Sequence, residues 1–541
     1  MPHADLAKGP SMTLEAAGGQ EPASPSGAPQ GLTKRALGGM FWTFSGTGVQ
    51  AAVQLLVIMV LGRLLTPADF GLMGAAQVVI AISQIVAQLG VGPAIVQRRD
   101  LEPTHVRVAV TLSSVLGLLL GAVVWLGARP IAAFYRMPEL EPVLRGVSVL
   151  FPLVGLNTVA QSLLTRHLRF RLFVALDVGS YILGYAVIGV LLAWRGYGVW
   201  ALVLGNVSQV TLRLIAMYVV TRHPVKPTLN WRAGADLLSF GLGHSLGQIG
   251  MVVSEQGDNL VVGRWLGAAA LGVYGRAYNL MVMPATVFGR IVNRVLFPVM
   301  AQVQDERRRL GAAYERSLAI VGLASLPLAA FLWVVAPEFI PVLLGPQWTG
   351  VVLPFRMFSI SLLFRMSSKI SDACTKAAGA VYSRALMQGA FAVMVVLGAF
   401  IGQHWGVGGV AVAVSIAMAI NWLGMAELSR RVTDLSWGVF ARAHAPGALL
   451  ALLIGAPAMV VAEIMRSYHL GKLTTLMAVA LTAAAVTLVA LRLRSDLFLG
   501  PHGTWASQRA GELLQRASAR ATPGRPVGAN GLASVSEANS K

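Results

Sequence analysis

The chain is read as an all-α polytopic membrane protein with about 14 transmembrane helices. Three observations predict this. The 541 residues are 55% hydrophobic and 12% charged, with a mean hydropathy of +0.67, whereas soluble chains carry about 25% charged residues. Apolar runs of roughly 20 residues, the length that crosses a bilayer core, follow one another along most of the chain. One short segment recurs 201 residues later, an even number of spans on, so the two halves share an orientation.

The first six runs cover 36–62, 70–93, 106–128, 144–164, 173–194 and 198–220. After a linker at 223–236 they resume at 237–263, 271–300, 318–344, 351–373, 384–402 and 406–428, and two more follow at 445–464 and 473–491. The longest outward segment expected is 129–143, which leaves no extramembranous domain for catalysis, so an enzyme is not expected. Residues 1–31 and 495–541 are poor in apolar runs and rich in Gly, Pro and Ser, and read as disordered tails. The first of these lacks the basic start of a signal peptide.

The +20 net charge would suggest nucleic acid in a soluble chain. Here the cations sit in short loops, so topology and contact with anionic membrane lipids explain them. Even-numbered loops hold Arg98 and Arg99; Arg166, Arg169 and Arg171; Arg222, Lys226 and Arg232; Arg307, Arg308, Arg309 and Arg316; Lys376; and Arg430, Arg431 and Arg442. By the positive-inside rule these loops, and both termini, are cytoplasmic. The loop with Arg129 and Arg136 fits the rule worst. One cysteine, Cys374, excludes an intramolecular disulfide, and the nine histidines have no metal-ligand spacing. No metal, cofactor or nucleic acid is expected. Trp42, Trp194, Trp200, Trp265, Trp348 and Trp405 near run ends read as an interfacial belt.

The repeated segment is G-R-L-L-T-P-A-D-F-G-L-M-G-A-A at 62–76 against G-R-W-L-G-A-A-A-L-G-V-Y-G-R-A at 263–277. Gly62, Arg63, Leu65, Ala68, Gly71, Gly74 and Ala76 match Gly263, Arg264, Leu266, Ala269, Gly272, Gly275 and Ala277. A weaker echo pairs 196–203 with 406–413. Charge is not repeated: Val57 stands where Asp258 does, and Ala75 where Arg276 does.

L-G-R-L-L-T-P-A-D-F-G (61–71) after a first span resembles the opening of Wzx-type polysaccharide flippases of the MOP superfamily. D-N-L-V-V-G-R-W-L-G-A-A-A-L-G-V-Y-G-R-A-Y-N-L (258–280) is similar to that family's central signature, with L-S-F-G (238–241), L-F-P-V-M (296–300), L-R-F (168–170) and L-G-P-Q-W (344–348) in matching order. The resemblance covers about residues 32–500 and points to the branch with 14 spans that exports lipopolysaccharide or exopolysaccharide. It implies two pseudo-symmetric six-helix bundles, 32–222 and 237–430, with two additional helices in 445–491 that form an apolar groove for a lipid tail in some relatives. It also implies alternating access at the cytoplasmic (inner) membrane, moving an undecaprenyl-pyrophosphate-linked oligosaccharide between leaflets, with a polysaccharide polymerase and export machinery as possible partners. A drug or metabolite antiporter of the same superfamily and a peptidoglycan-precursor flippase are the alternatives.

An ionised side chain at bilayer depth costs about 2.5–3.5 kcal/mol on insertion scales, so such residues mark a bundle interior or a wet cavity. They gather in 251–300. Arg290 and Arg294 lie one helical turn apart, and Arg276, fourteen positions earlier, falls within about 40° of their face at 3.6 residues per turn. Arg365 lies deep in the tenth run, where Arg365, Lys369, Asp372 and Lys376 form a stripe whose lower part reads as a surface ion-pair ladder. The planar guanidinium fork suits phosphate, so Arg276, Arg290, Arg294 and Arg365 are the candidate pyrophosphate and cavity residues. Snorkelling at helix ends is the competing reading for the first three. Asp258 and Glu255, three apart on the seventh run, are candidates for a coupling ion or for structural neutralisation of Arg264 or Arg276. Pro284 lies between Arg276 and Arg290, where a kink would alter which of them faces a cavity.

Overall fold

A computed structural model describes residues 48–88, 91–98, 100–230 and 250–521, apart from positions 49, 225 and 229, with backbone alone at 85–88 and beyond 504. The expected tail at 1–31, most of the linker and the starts of the first and seventh runs lie outside these residues. The described residues are helical, with no strand. In lipid this is the open-chain solution that satisfies every backbone N–H and C=O within its own segment.

The helices are α1 (Gln50–Leu64), α2 (Pro67–Gln88), α3 (Val91–Gln97), α4 (Pro103–Tyr135), α5 (Leu140–Ser148), α6 (Leu150–Arg166), α7 (Phe170–Trp194) and α8 (Val199–Thr221). The second half has α9 (250–266), α10 (Ala268–Gln302), α11 (Arg307–Leu344), α12 (Pro346–Ala377), α13 (Val381–Gly402) and α14 (Gly406–Thr433). α15 (Trp437–Ser467) and α16 (Lys472–Ala521) follow. Among the described residues ten segments are long and apolar enough to cross a membrane, one of them, Val381–Thr433, holding both α13 and α14. With α1, α2 and α9, every one of the fourteen apolar runs meets a helix.

Helices α2 to α8 pack on one another, as do α10 to α14, giving two bundles. Between them the dominant helix pair is α2 with α10, the two helices that the repeated segment begins. α2 starts with a reciprocal cap. Asp69 accepts hydrogen bonds from the Thr66 backbone N–H (2.9 Å) and hydroxyl (2.7 Å), Thr66 Oγ1 accepts from the Asp69 N–H, and Pro67 takes the first turn, where no N–H is needed. α10 starts without a side-chain cap, after Gly267 at φ 88°, a conformation open to glycine.

Helices α15 and α16 dock on the C-terminal bundle. α15 packs along α11, with Gly447 so close to Gly322 that a Cβ there would lie 2.3 Å from the Gly322 carbonyl oxygen. Glu338, 6% exposed, accepts two bonds from Arg466 at 2.8 and 2.9 Å. Glu463 is exposed and pairs with the same Arg466.

Three expectations need correction. The segment 129–143 is mostly helix: α4 runs to Tyr135, a left-handed Arg136 caps it, and α5 begins at Leu140. Ala132, Tyr135, Leu140, Val143 and Val147 are buried there, and that apolar face keeps the segment in the core. The tail expected from 495 continues α16 to Ala521, broken at Arg494 and Gly500; Phe498 packs near Ile454 and Leu450, and His502 reaches Glu315. Trp348 is not interfacial but fully buried. Its indole N–H donates to the Gly62 carbonyl at 2.7 Å, and its ring meets Phe70 edge-on.

Candidate functional site

A cavity of about 490 Å³ lies between the bundles, walled by α1, α2, α7 and α8 on one side and α9 and α10 on the other. One end is closed by the repeat. A Cβ on Gly71 would lie 1.7 Å from the Ala268 carbonyl oxygen, and a Cβ on Gly272 would lie 1.8 Å from that of Pro67. Gly71 matches Gly272 and Pro67 matches Ala268, so the two contacts are one contact repeated by a two-fold relation. The Gly-Arg pairs that open each copy behave alike. Gly62 and Arg63 pack on the end of α11, where Arg63 donates to the Val342 carbonyl at 2.7 Å, one of the last-turn acceptors a helix leaves unsatisfied. Gly263 and Arg264 pack on the end of α4, against Tyr135 and the Phe134 ring. The repeated motif is thus the seam between bundles, and its glycines permit backbone to meet backbone.

From this seam the cavity follows α10 as far as Arg290. Arg276 and Arg290 both line it, fourteen residues or about 21 Å apart along the helix. Arg276 holds its guanidinium 4.3 Å from the centre of the Phe70 ring across the interface, a cation–π contact. Its Nε is buried without a hydrogen-bond acceptor. Arg294 is not among the lining residues, because the turn Val292–Leu296 widens to a π-helix and breaks the one-turn register with Arg290. Arg365 lines a different cavity inside the C-terminal bundle.

The two acidic candidates are separated as well. Asp258 is 1% exposed. Its carboxylate accepts the Tyr274 hydroxyl at 2.6 Å and the Asn259 backbone N–H at 2.8 Å. Glu255 is exposed and lines the same cavity as Arg365. Asp177, near the start of α7, pairs with Arg213 at 3.2 Å and also accepts from Gln50. Among the described residues no group of three or more His, Cys, Asp or Glu is arranged to hold a metal ion.

Charge alone misses half of the site. Gln50, Gln54, Gln77, Gln256, Asn259 and Asn279 also line the cavity between the bundles, with Tyr181 and Tyr185 stacked at 5.2 Å. No carboxylate occurs among its described lining residues. The signal was present: Gln50 and Gln54 are one turn apart in an apolar helix, and Asn279 is one turn from Arg276. Val57, the counterpart of Asp258, is an apolar part of the wall.

Comparison with known proteins places this arrangement. The succinoglycan biosynthesis transport protein ExoT of Rhizobium meliloti (strain 1021) is 28% identical over 415 residues, which cover 76% of this chain and 81% of that one. The lipopolysaccharide biosynthesis protein WzxC of Escherichia coli (strain K12) is 24% identical over 336 residues, 62% of this chain and 68% of that one. In fold the chain is similar to the lipid II flippase MurJ in its inward closed conformation, with a TM-score of 0.68 at 14% identity over 84% of this chain and 99% of that one. An inward-facing multidrug resistance MATE family transporter of the MOP superfamily matches at 0.57 and 20% identity over 71% and 95%. The polysaccharide biosynthesis protein family matches residues 60–353, more than half of the sequence, and the chain belongs to that family.

Proposed function

We propose that this protein carries an undecaprenyl-pyrophosphate-linked oligosaccharide unit from the inner to the outer leaflet of the cytoplasmic membrane, for surface or exopolysaccharide synthesis, by alternating access. One observation carries the reading: the cavity between the bundles has two arginines and six amides along its wall and no carboxylate among its described residues. Such a lining suits the head of a lipid-linked sugar. Arginine forks take the pyrophosphate oxygens in pairs, and amides offer both donors and acceptors to sugar hydroxyls. The apolar tail stays in the bilayer, so only the head needs a polar path. Closure of the cavity at the repeat, with the exposed Arg290 at its far end, fits the stage that receives substrate from the cytoplasmic side. The relatives named for succinoglycan and lipopolysaccharide synthesis support the same cargo class.

In this reading both termini are cytoplasmic, Arg276 and Arg290 hand the pyrophosphate along α10, and Asp258 exchanges the coupling ion with Tyr274 as its hydrogen-bond partner. A peptidoglycan-precursor cargo is a second reading, favoured by the likeness of fold to the lipid II flippase. An exporter of cationic drugs is disfavoured, because the wall supplies cations where such cargo requires anions. Depletion of the protein in its own cell tests the proposal. An undecaprenyl-linked glycan accumulating in the inner leaflet, with loss of surface polysaccharide, is expected. Normal surface polysaccharide with altered drug sensitivity would overturn it, and arrest of cell-wall synthesis would favour the second reading.

A further inference from the structure

The cavity that Arg365 lines has a volume of about 450 Å³ and lies wholly within the C-terminal bundle, among α9, α10, α12, α13 and α14. Tyr278 borders both this cavity and the one between the bundles. Arg365 fixes that wall: it donates to the Tyr278 hydroxyl at 3.1 Å and lies 4.9 Å from the centre of its ring. The lower part of the stripe is the expected ion-pair ladder, Asp372 with Lys376 one turn on, and the whole stripe from Arg365 to Lys376 lines this cavity.

The charges in this space do not balance. Four cations line it, Arg365, Lys369, Lys376 and Arg384, against two carboxylates. Asp372 is taken up by Lys376, at 2.6 Å, and by Arg384. Neither Glu255 nor Lys369 makes an ion pair at contact distance among the described residues, although Asp372 and Glu255 both lie near enough to act on the Lys369 ammonium electrostatically. Arg365 and Lys369 are one helical turn apart on α12 and share a face. The Arg365 Nε is buried without an acceptor, and a buried donor in that condition costs free energy until an acceptor arrives.

We propose that Arg365 and Lys369 form an anion site in this second cavity that binds a phosphoryl group, whether free diphosphate or the headgroup of an anionic lipid. A phosphoryl group offers several acceptor oxygens in a cluster, enough to satisfy the guanidinium Nε and the ammonium together. The paired Asp372–Lys376–Arg384 cluster lies farther along the same cavity, toward the turn between α12 and α13. It leaves Arg365 and Lys369, which have no carboxylate at contact distance, as the point of attraction. An anion here competes with Tyr278 for Arg365, so occupancy of the second cavity bears on a wall of the first.

The site does not depend on the transport proposal, and the test keeps the two apart. The chain with Arg276→Gln and Arg290→Gln removes both cations of the central wall. Placed in nanodiscs of phosphatidylcholine, it is titrated with inorganic pyrophosphate by calorimetry at constant ionic strength. Binding at one site per chain is expected. Adding Arg365→Gln and Lys369→Gln weakens it by about ten-fold or more. Replacing those two instead by Arg365→Lys and Lys369→Arg preserves binding, which separates loss of charge from loss of fold. In discs containing phosphatidylglycerol, weaker pyrophosphate binding identifies a lipid headgroup as the natural occupant, and unchanged binding identifies a free anion. Absence of binding in the first variant with both disc types, or equal binding with and without Arg365→Gln and Lys369→Gln, would overturn the proposal. The difference between wild type and the first variant reports on the central cavity alone.

Discussion

Substituting Gly71 by alanine tests whether the seam is a moving contact. The added Cβ would stand 1.7 Å from the Ala268 carbonyl oxygen, whereas close carbon–oxygen contacts between helices settle near about 3.3 Å. α2 and α10 must therefore draw apart by roughly 1.6 Å while the seam is closed. Alanine is also the better helix former by about 1 kcal/mol, but that gain is equal in the closed and open seam and cancels between them. Overpacking of this kind costs about 1–3 kcal/mol, which lowers the population of the closed seam by about 5- to 150-fold. Gly272→Ala demands the same separation, with its Cβ 1.8 Å from the Pro67 oxygen. The two substitutions share one displacement, so the double variant is expected to cost little more than either single one. Cysteine labelling reads this directly, because Cys374, the sole cysteine, is buried. With Cys374→Ala as background and Asn279→Cys as a reporter in the cavity, a membrane-impermeant maleimide is applied to intact cells. Labelling is expected to rise about five-fold or more in Gly71→Ala. Unchanged labelling in a folded Gly71→Ala chain, or fully additive effects in the double variant, would refute the reasoning.

Further outcomes follow from other contacts. Arg276→Ala and Arg290→Ala are each expected to slow translocation by about ten-fold or more, from the loss of charge-assisted hydrogen bonds, with lysine replacements intermediate; initial flipping rates in vesicles check this. Tyr274→Phe leaves the buried Asp258 carboxylate without its 2.6 Å donor and is expected to cost about 1–3 kcal/mol of stability. Thermal unfolding measures the loss, which should shrink when Asp258→Asn is the background. Asp258→Asn is also expected to remove the dependence of transport on an ion gradient, seen by collapsing the gradient in both chains. Arg466→Ala strands Glu338, 6% exposed, at the joint of α11 and α15. A loss of about 2–3 kcal/mol is expected, below the full range for buried pairs because Arg466 is only partly buried, and the pair Glu338→Leu with Arg466→Leu should lie nearer to wild type.

Span positions were legible because a bilayer imposes one length and one composition on each helix. The repeat at 62–76 and 263–277 was legible too, but its purpose was not. Spacing gives no sign that Gly71 and Gly272 meet each other's helix starts, since those contacts join residues about 200 apart in sequence. Helical geometry put Arg276 and Arg290 on one wall and failed for Arg294, because periodicity assumes an unbroken α-helix and the π-turn at Val292–Leu296 breaks it. Arg365 was readable as a deep cation, but only packing separates its cavity from the central one, through the single wall of Tyr278. Asp258 and Glu255 show the same limit: three residues apart, they end in different surroundings, one sealed against Tyr274 and one in a cavity. The amides were overlooked because Gln and Asn carry no charge to stand out from an apolar run. Trp348 misled because a tryptophan near a span end is equally apt for the membrane interface and for a buried hydrogen bond.

The central claim is that the cavity between the bundles moves the charged head of a lipid-linked sugar. Its most direct measurement is translocation of a fluorescent undecaprenyl-pyrophosphate-linked oligosaccharide in vesicles containing the purified chain, read by an impermeant quencher. The wild-type chain is expected to bring the protected inner-leaflet pool out to the quencher, while the chain with Arg276→Ala and Arg290→Ala leaves it protected. Equal exposure with both chains, or none with the wild type under any imposed ion gradient, would contradict the account.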